Sequence, residues 1–186
     1  GTTATFADTV DGAFSLTINA SGNTTFKGDV GDTTPLTALT TDASGTTIVF
    51  TTGGDFEVAG AVTFNDKITL QMDTTITATG GANVTFANTI NGTTAGAESL
   101  TVNSSGTTAF NGIVGATIKL EDLTTDAAGS TQLKANSTVD DELTFNDTVS
   151  LTGNSTVTAD GGIVRFQEAV TGSLASQREL TFGTNT

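Results

Sequence analysis

The stretch Gly1-Thr-Thr-Ala-Thr-Phe-Ala-Asp-Thr-Val-Asp-Gly12 returns as Gly81-Ala-Asn-Val-Thr-Phe-Ala-Asn-Thr-Ile-Asn-Gly92. It returns again, more divergently, as Gly162-Ile-Val-Arg-Phe-Gln-Glu-Ala-Val-Thr-Gly172. Phe6, Phe86 and Phe166 are therefore spaced by 80 residues. Ser15-Leu-Thr-Ile-Asn-Ala-Ser-Gly22 matches Ser99-Leu-Thr-Val-Asn-Ser-Ser-Gly106, and Leu39-Thr-Thr-Asp-Ala-Ser-Gly45 matches Leu123-Thr-Thr-Asp-Ala-Ala-Gly129. The chain reads as one continuous array over 1–186, with copies at 1–80 and 81–161 and a partial third at 162–186.

Inside each copy a shorter unit recurs: Phe, any residue, a small polar or acidic residue, any residue, then Val or Ile. It begins at Phe6, Phe26, Phe64, Phe86, Phe110, Phe145 and Phe166. The two long gaps, Phe26 to Phe64 and Phe110 to Phe145, each have room for one further unit in which Phe is replaced. Physically, Phe closes a strand, the small polar residue turns the corner, and Val10 or Ile90 opens the next strand. Runs between corners alternate and are rich in β-branched residues, as in Leu16-Thr-Ile18, Ile68-Thr-Leu70 and Thr156-Val-Thr158. No segment holds a helical period.

Short strands joined by corners, in a coil that repeats itself, predict an all-β parallel β-helix (β-solenoid) of about nine turns of roughly twenty residues. On this reading each 80-residue copy is four turns. Two tandem β-sandwiches are the competing architecture, since they also space strands by 8 to 12 residues. Likeness between units inside one copy favours the solenoid, because sandwich strands occupy different environments and do not resemble one another.

Composition narrows the chemistry. The 186 residues include 43 Thr and 22 Gly but no Cys, His, Trp or Tyr, which removes the usual zinc ligands, His-based catalysis and disulfides. A hydrophobic content of 35% suits a thin, linear core and not a thick one, while its alternation is unlike a disordered chain. The net charge of −14 opposes attraction to nucleic acid or anionic lipid. No run of 18 apolar residues predicts a membrane-inserted helix, and no signal peptide is expected from the N-terminal composition. A chain beginning with Gly suggests a piece processed or excised from something longer.

Segments such as Thr144-Phe-Asn-Asp-Thr-Val149, Ser15-to-Gly22 and Leu123-to-Gly129 resemble the Thr/Gly/Asn-rich repeats of very large bacterial surface proteins, of the filamentous-haemagglutinin and autotransporter-adhesin kind. The resemblance implies a right-handed β-helical stalk, an extracellular or bacterial cell-surface location, and an adhesive or matrix role. The expected partners are neighbouring repeats or copies of the chain stacked end to end, and host-cell or matrix glycans or proteins.

Four features could carry more specific chemistry. Acidic clusters at Asp8 with Asp11, Asp29 with Asp32, Glu121-Asp122 and Asp140-Asp141-Glu142 could converge on calcium, although neither the EF-hand loop nor the Gly-rich nonapeptide is present. Turn geometry explains Asp at corners as well. Paired carboxylates could also cleave glycosides, but the bases Lys27, Lys67, Lys119, Lys134, Arg165 and Arg178 recur at no repeat position, so no enzyme, catalytic residue or cofactor is expected. Thr-x-Thr pairs at Thr3, Thr75, Thr77 and Thr156 suggest an ice-binding face, yet they recur too rarely to form ranks. Asn-x-Ser/Thr triplets begin at Asn19, Asn23, Asn83, Asn91, Asn103, Asn136, Asn146 and Asn154 and could accept glycans. Finally, Gly92 to Leu100 and Gly172 to Leu180 are four residues longer than Gly12 to Leu16, which predicts a projecting loop.

The reading is therefore a structural repeat segment acting as a rigid stalk or adhesin scaffold. A self-assembling extracellular filament subunit is the alternative, ahead of a carbohydrate-active or ice-binding β-helix.

Overall fold

The computed structural model describes residues 1–50, 55–172 and 179–183. Every strand pair in it is parallel, and the strands form a β-solenoid whose cross-section has three faces. Face A begins with Ala4–Phe6, Asn23–Phe26, Thr46–Val49, Lys67–Leu70 and Ile90–Asn91. It continues through a single bridge at Val114 to Ser137–Val139, Ser155–Ala159 and Leu180–Phe182. Face B starts as bridges at Val10 and Val30 and becomes a sheet from Asp55–Val58 to Val164–Phe166. Face C is an unbroken eight-stranded sheet from Ser15–Ile18 to Val170–Gly172.

Following the chain, faces are visited in the order A, B, C, so residues 4–172 make eight turns and Leu180–Phe182 opens a ninth. A turn takes from 20 residues (Thr5 to Thr25) to 25 (Val157 to Phe182). The turns are thus a little longer than the twenty-residue reading, and eight are complete instead of nine.

This corrects the relation between copy and turn. Phe6 sits on face A, its equivalent Phe86 on face C, and Phe166 on face B. Leu16 on face C likewise matches Leu100 on face B and Leu180 on face A. One sequence copy therefore spans three and two-thirds turns, not four, and each copy is rotated by one face relative to the last. The structure tolerates this because each face asks the same of its strand: two inward apolar residues, polar residues outward, and a corner.

The core is single file. Val84, Phe86, Val102, Phe110, Val114 and Leu133 are all buried, and outward neighbours alternate with them along each strand. Phe6 stacks on Phe26 with centroids 4.9 Å apart on face A, and Phe64, Phe86 and Phe110 stack at 5.8 and 5.1 Å on face C. Phe56, edge-on to both Phe26 and Phe64, joins the two stacks. It supplies an aromatic ring within the long gap between Phe26 and Phe64. Glycine is needed where turns pass closest: Gly45 (φ 84°) and Gly129 (φ 76°) would place a Cβ at 1.9 and 2.0 Å from the carbonyl oxygens of Gly22 and Gly106.

Candidate functional site

The most fully built polar feature is a pair of buried carboxylates. In Phe64-Asn65-Asp66 the third residue turns inward at the corner between faces C and A, where Asp66 is 1% exposed. Thr41 Oγ1 donates to it at 2.7 Å and Thr47 Oγ1 at 2.9 and 3.0 Å. The second copy repeats the arrangement at the corner between faces B and C. Asp147, 2% exposed, accepts from Thr125 Oγ1 at 3.1 Å and from Thr131 Oγ1 at 2.9 and 3.0 Å. Asn65 and Asn146 each donate Nδ2 to the carbonyls of Thr41 and Thr125 at 2.7 Å, closing the corner.

Burial pushes both carboxyls above their ordinary value, against the threonine hydroxyls, which favour the ionised form; Asp42 and Asp126 reinforce the upward shift. The sequence reading took these aspartates as turn formers. The signal for an inward carboxylate was present as Leu-Thr-Thr-Asp followed by Phe-Asn-Asp, repeated in both copies, with a hydroxyl on either side of the corner.

Other corner Asp and Asn residues are turn-to-turn clips. Each Oδ1 accepts a backbone N–H of an adjacent turn: Asp42 from Ala20 (3.1 Å), Asp126 from Ser104 (3.0 Å), Asp11 from Thr33 (2.9 Å) and Asn91 from Thr117 (2.8 Å). Asn83, Asn136 and Asn154 bind Thr107, Thr156 and Glu179 in the same way. Half of the glycan-acceptor triplets are thus occupied in holding turns together. Asn146 is spent on Thr125, and Asn103 on Thr77 at 3.4 Å, which leaves Asn19 and Asn23 exposed with no side-chain hydrogen bond among the described residues.

The acidic clusters gather at one place. The edge joining face A to face B, with the adjoining part of face B, carries carboxylates in every turn. They are Asp8 and Asp11, then Asp29 and Asp32, then Asp55 and Glu57, then Asp73, Glu98, Glu121 with Asp122, Asp140 to Glu142, and Asp160. Asp42, Asp66, Asp126, Asp147, Glu168 and Glu179 are the acids elsewhere. The edge carboxylates are engaged singly. Asp8 accepts from the Thr9 amide, Asp122 from Glu142 N at 2.8 Å, and Glu98, buried, from Thr93 and Thr94. Among the described residues no three acidic, His or Cys side chains converge as a metal site.

Three bases neighbour this edge. Lys119 contacts Asp160 and lies 3.9 Å from Asp140, tying three successive turns. Arg165 Nε binds Glu142 at 2.9 Å, and the Thr144 hydroxyl together with Arg165 holds the Glu142 carboxyl below its ordinary value. Lys27 lies at a corner of the same edge and is exposed; Lys67 and Lys134 lie near the edge between C and A, and Arg178 falls outside the described residues. The structure does not bring these bases together.

The longer connection from Gly92 to Leu100 folds back on its own neighbour. Glu98 clamps Thr93 and Thr94, Gly92 N binds Ile118 O at 3.2 Å, and Gly96 N binds Lys119 O at 3.3 Å. Its third-copy counterpart, between Gly172 and Leu180, lies largely outside the described residues. Thr-x-Thr pairs do not stack as pairs: Thr75 meets Asp55 and Thr101, while Thr77 meets Glu57 and Asn103. Single threonines do align, as Thr17, Thr40, Thr63 and Thr85 on face C and Thr75, Thr101, Thr124 and Thr144 on face B. No concave pocket forms among the described residues. No family model matches the chain, and no curated protein or solved structure matches it.

Proposed function

We propose that the chain is a structural repeat segment of a secreted bacterial cell-surface or matrix protein and acts, without catalysis, as a rigid stalk or adhesin scaffold. The observation that supports this reading is the continuous parallel ladder. Adjacent turns are joined by backbone hydrogen bonds on three faces, by corner clips, and by one apolar file that runs through all eight turns. Bending such a rod opens bonds on one face while compressing the other two, so the geometry resists flexing. The carboxylates that might have served a reaction are held by Thr hydroxyls and backbone amides of the rod itself.

Eight turns at about 4.8 Å give a rod about 40 Å long. Pulled between its two ends in an optical trap, the chain should hold that length and then lose turns in steps. Gradual lengthening at low force, as for a flexible linker, would overturn the stalk reading.

A filament subunit is the second reading. It is favoured by apolar residues exposed in the last described turns, Phe182 at 58% and Val170 at 40%. Uniform fibres that lengthen with concentration would support it over the stalk.

A further inference from the structure

Face C is free of charge from the first turn to the eighth. Its outward positions are Thr17, Thr40, Thr63, Thr85, Ala109, Gln132, Ser150 and Thr171, flanked by small uncharged residues such as Ser15, Ala38, Thr107 and Ser130. In a chain of net charge −14 this is a property of the face, because the sequence repeat does not produce it. Each copy is rotated by one face, so positions on face C in the first copy move to face B in the second. There Ala38 becomes Asp122, Ala61 becomes Glu142 and Thr85 becomes Arg165. In the opposite sense Lys67, on face A, becomes Thr148 on arriving at face C. Charge therefore follows the face and not the ancestry of the position.

We propose that face C is a docking surface for a second copy of this chain, the two rods lying face to face about a two-fold axis. Charge selects the occupant. The acidic edge between A and B is the corner opposite face C, so pairing through C is the arrangement that keeps the two acidic edges farthest apart. Side chains of Thr, Ser, Ala and Gln on parallel strands allow two sheets to approach to about 10 Å with small groups interdigitated. Eight strands spaced by about 4.8 Å, each about 13 Å wide, offer about 500 Å² per partner. The total of about 1,000 Å² reaches the lower bound for a specific interface, and a two-fold contact closes at the dimer. This inference is independent of the stalk reading, which needs no lateral partner.

Sedimentation equilibrium of the chain over micromolar to millimolar concentration tests it. The expected species is a dimer, twice 18.6 kDa, with no growth beyond it. A chain carrying both Thr63→Asp and Gln132→Asp, and another carrying Thr63→Lys and Gln132→Lys, should each self-associate about a hundredfold more weakly or worse. Mixing the two should restore dimers. Thr25→Asp with Thr158→Asp, the same charges on face A, should leave the dimer intact, and matching circular dichroism checks that all variants fold. A chain that stays monomeric throughout overturns the proposal and leaves face C to an uncharged partner of another kind. So does a dimer indifferent to charge on face C, or head-to-tail growth without a dimer.

Discussion

The Asp66 and Asp147 side chains, 81 positions apart, do the same thing at different corners of the rod: each closes its own turn by accepting two threonine hydroxyls from the turn before. The partners match residue for residue, Thr41 with Thr125 and Thr47 with Thr131. They are acids that follow the sequence copy, whereas the exposed acids follow the edge.

Truncating either aspartate should hurt equally. Asp66→Ala or Asp147→Ala leaves two buried hydroxyls without their acceptor, which costs about 2–4 kcal/mol. Thermal unfolding should show similar losses for the two variants, and a markedly smaller effect at one site would contradict their equivalence.

Acidity should stabilise the fold over a defined window. Because the folded-state pKa of both groups is raised above the ordinary 3.8, folding takes up protons there. Their contribution is fully present below the unfolded value and is lost as pH rises through the raised one. Glu142, shifted down, contributes the opposite slope at lower pH. A double Asp66→Asn, Asp147→Asn variant should therefore lose the fall in melting temperature on the upper side of the carboxylate range, while keeping the acid limb. An unchanged slope would show that other groups set it.

The aromatic file makes an asymmetric prediction. Phe86 is 1% exposed between Phe64 and Phe110, so Phe86→Ala should cost about 3–5 kcal/mol. Amide exchange should then accelerate in the third to fifth turns before the rest, as nearest-neighbour coupling requires. Phe14, 46% exposed, should cost about 0.5 kcal/mol or less when changed to Ala.

Three glycines separate backbone strain from crowding. Gly81→Ala meets only an unfavourable φ of 77°, with no atom within 4 Å of the new carbon, and should cost about 1 kcal/mol. Gly45→Ala and Gly129→Ala add a collision with a carbonyl of the neighbouring turn and should cost clearly more. Denaturant titration of the three variants gives the order directly.

The all-β class, the parallel coil and the Phe-headed corner were legible because each leaves a local mark: alternation, small polar corners and self-similarity. The phase of copy against turn was not. Turn length varies from 20 to 25 residues through connections such as Gly31-to-Leu36 and Gly92-to-Leu100, and counting residues alone cannot separate four short turns from three and two-thirds longer ones. The same limit hid the acidic edge. Asp8 and Asn88 look like a trivial exchange between copies until the register puts the first on the A–B edge and the second at the C–A corner. Asp66 and Asp42 read alike as corner residues, and only three-dimensional pairing shows that the first points inward to Thr47 while the second reaches out to the Ala20 amide.

The two-thirds remainder also governs what a change in copy number would do. Gaining or losing one 80-residue copy would swivel everything beyond the joint by about 120° about the long axis, so a distal part would look out in a new compass direction. Three copies together, eleven turns, would restore the original heading. Duplication in such a chain is thus a means of aiming as well as of lengthening, and any single-copy variant would have to re-site its charges to keep one side of the rod acidic and another side neutral.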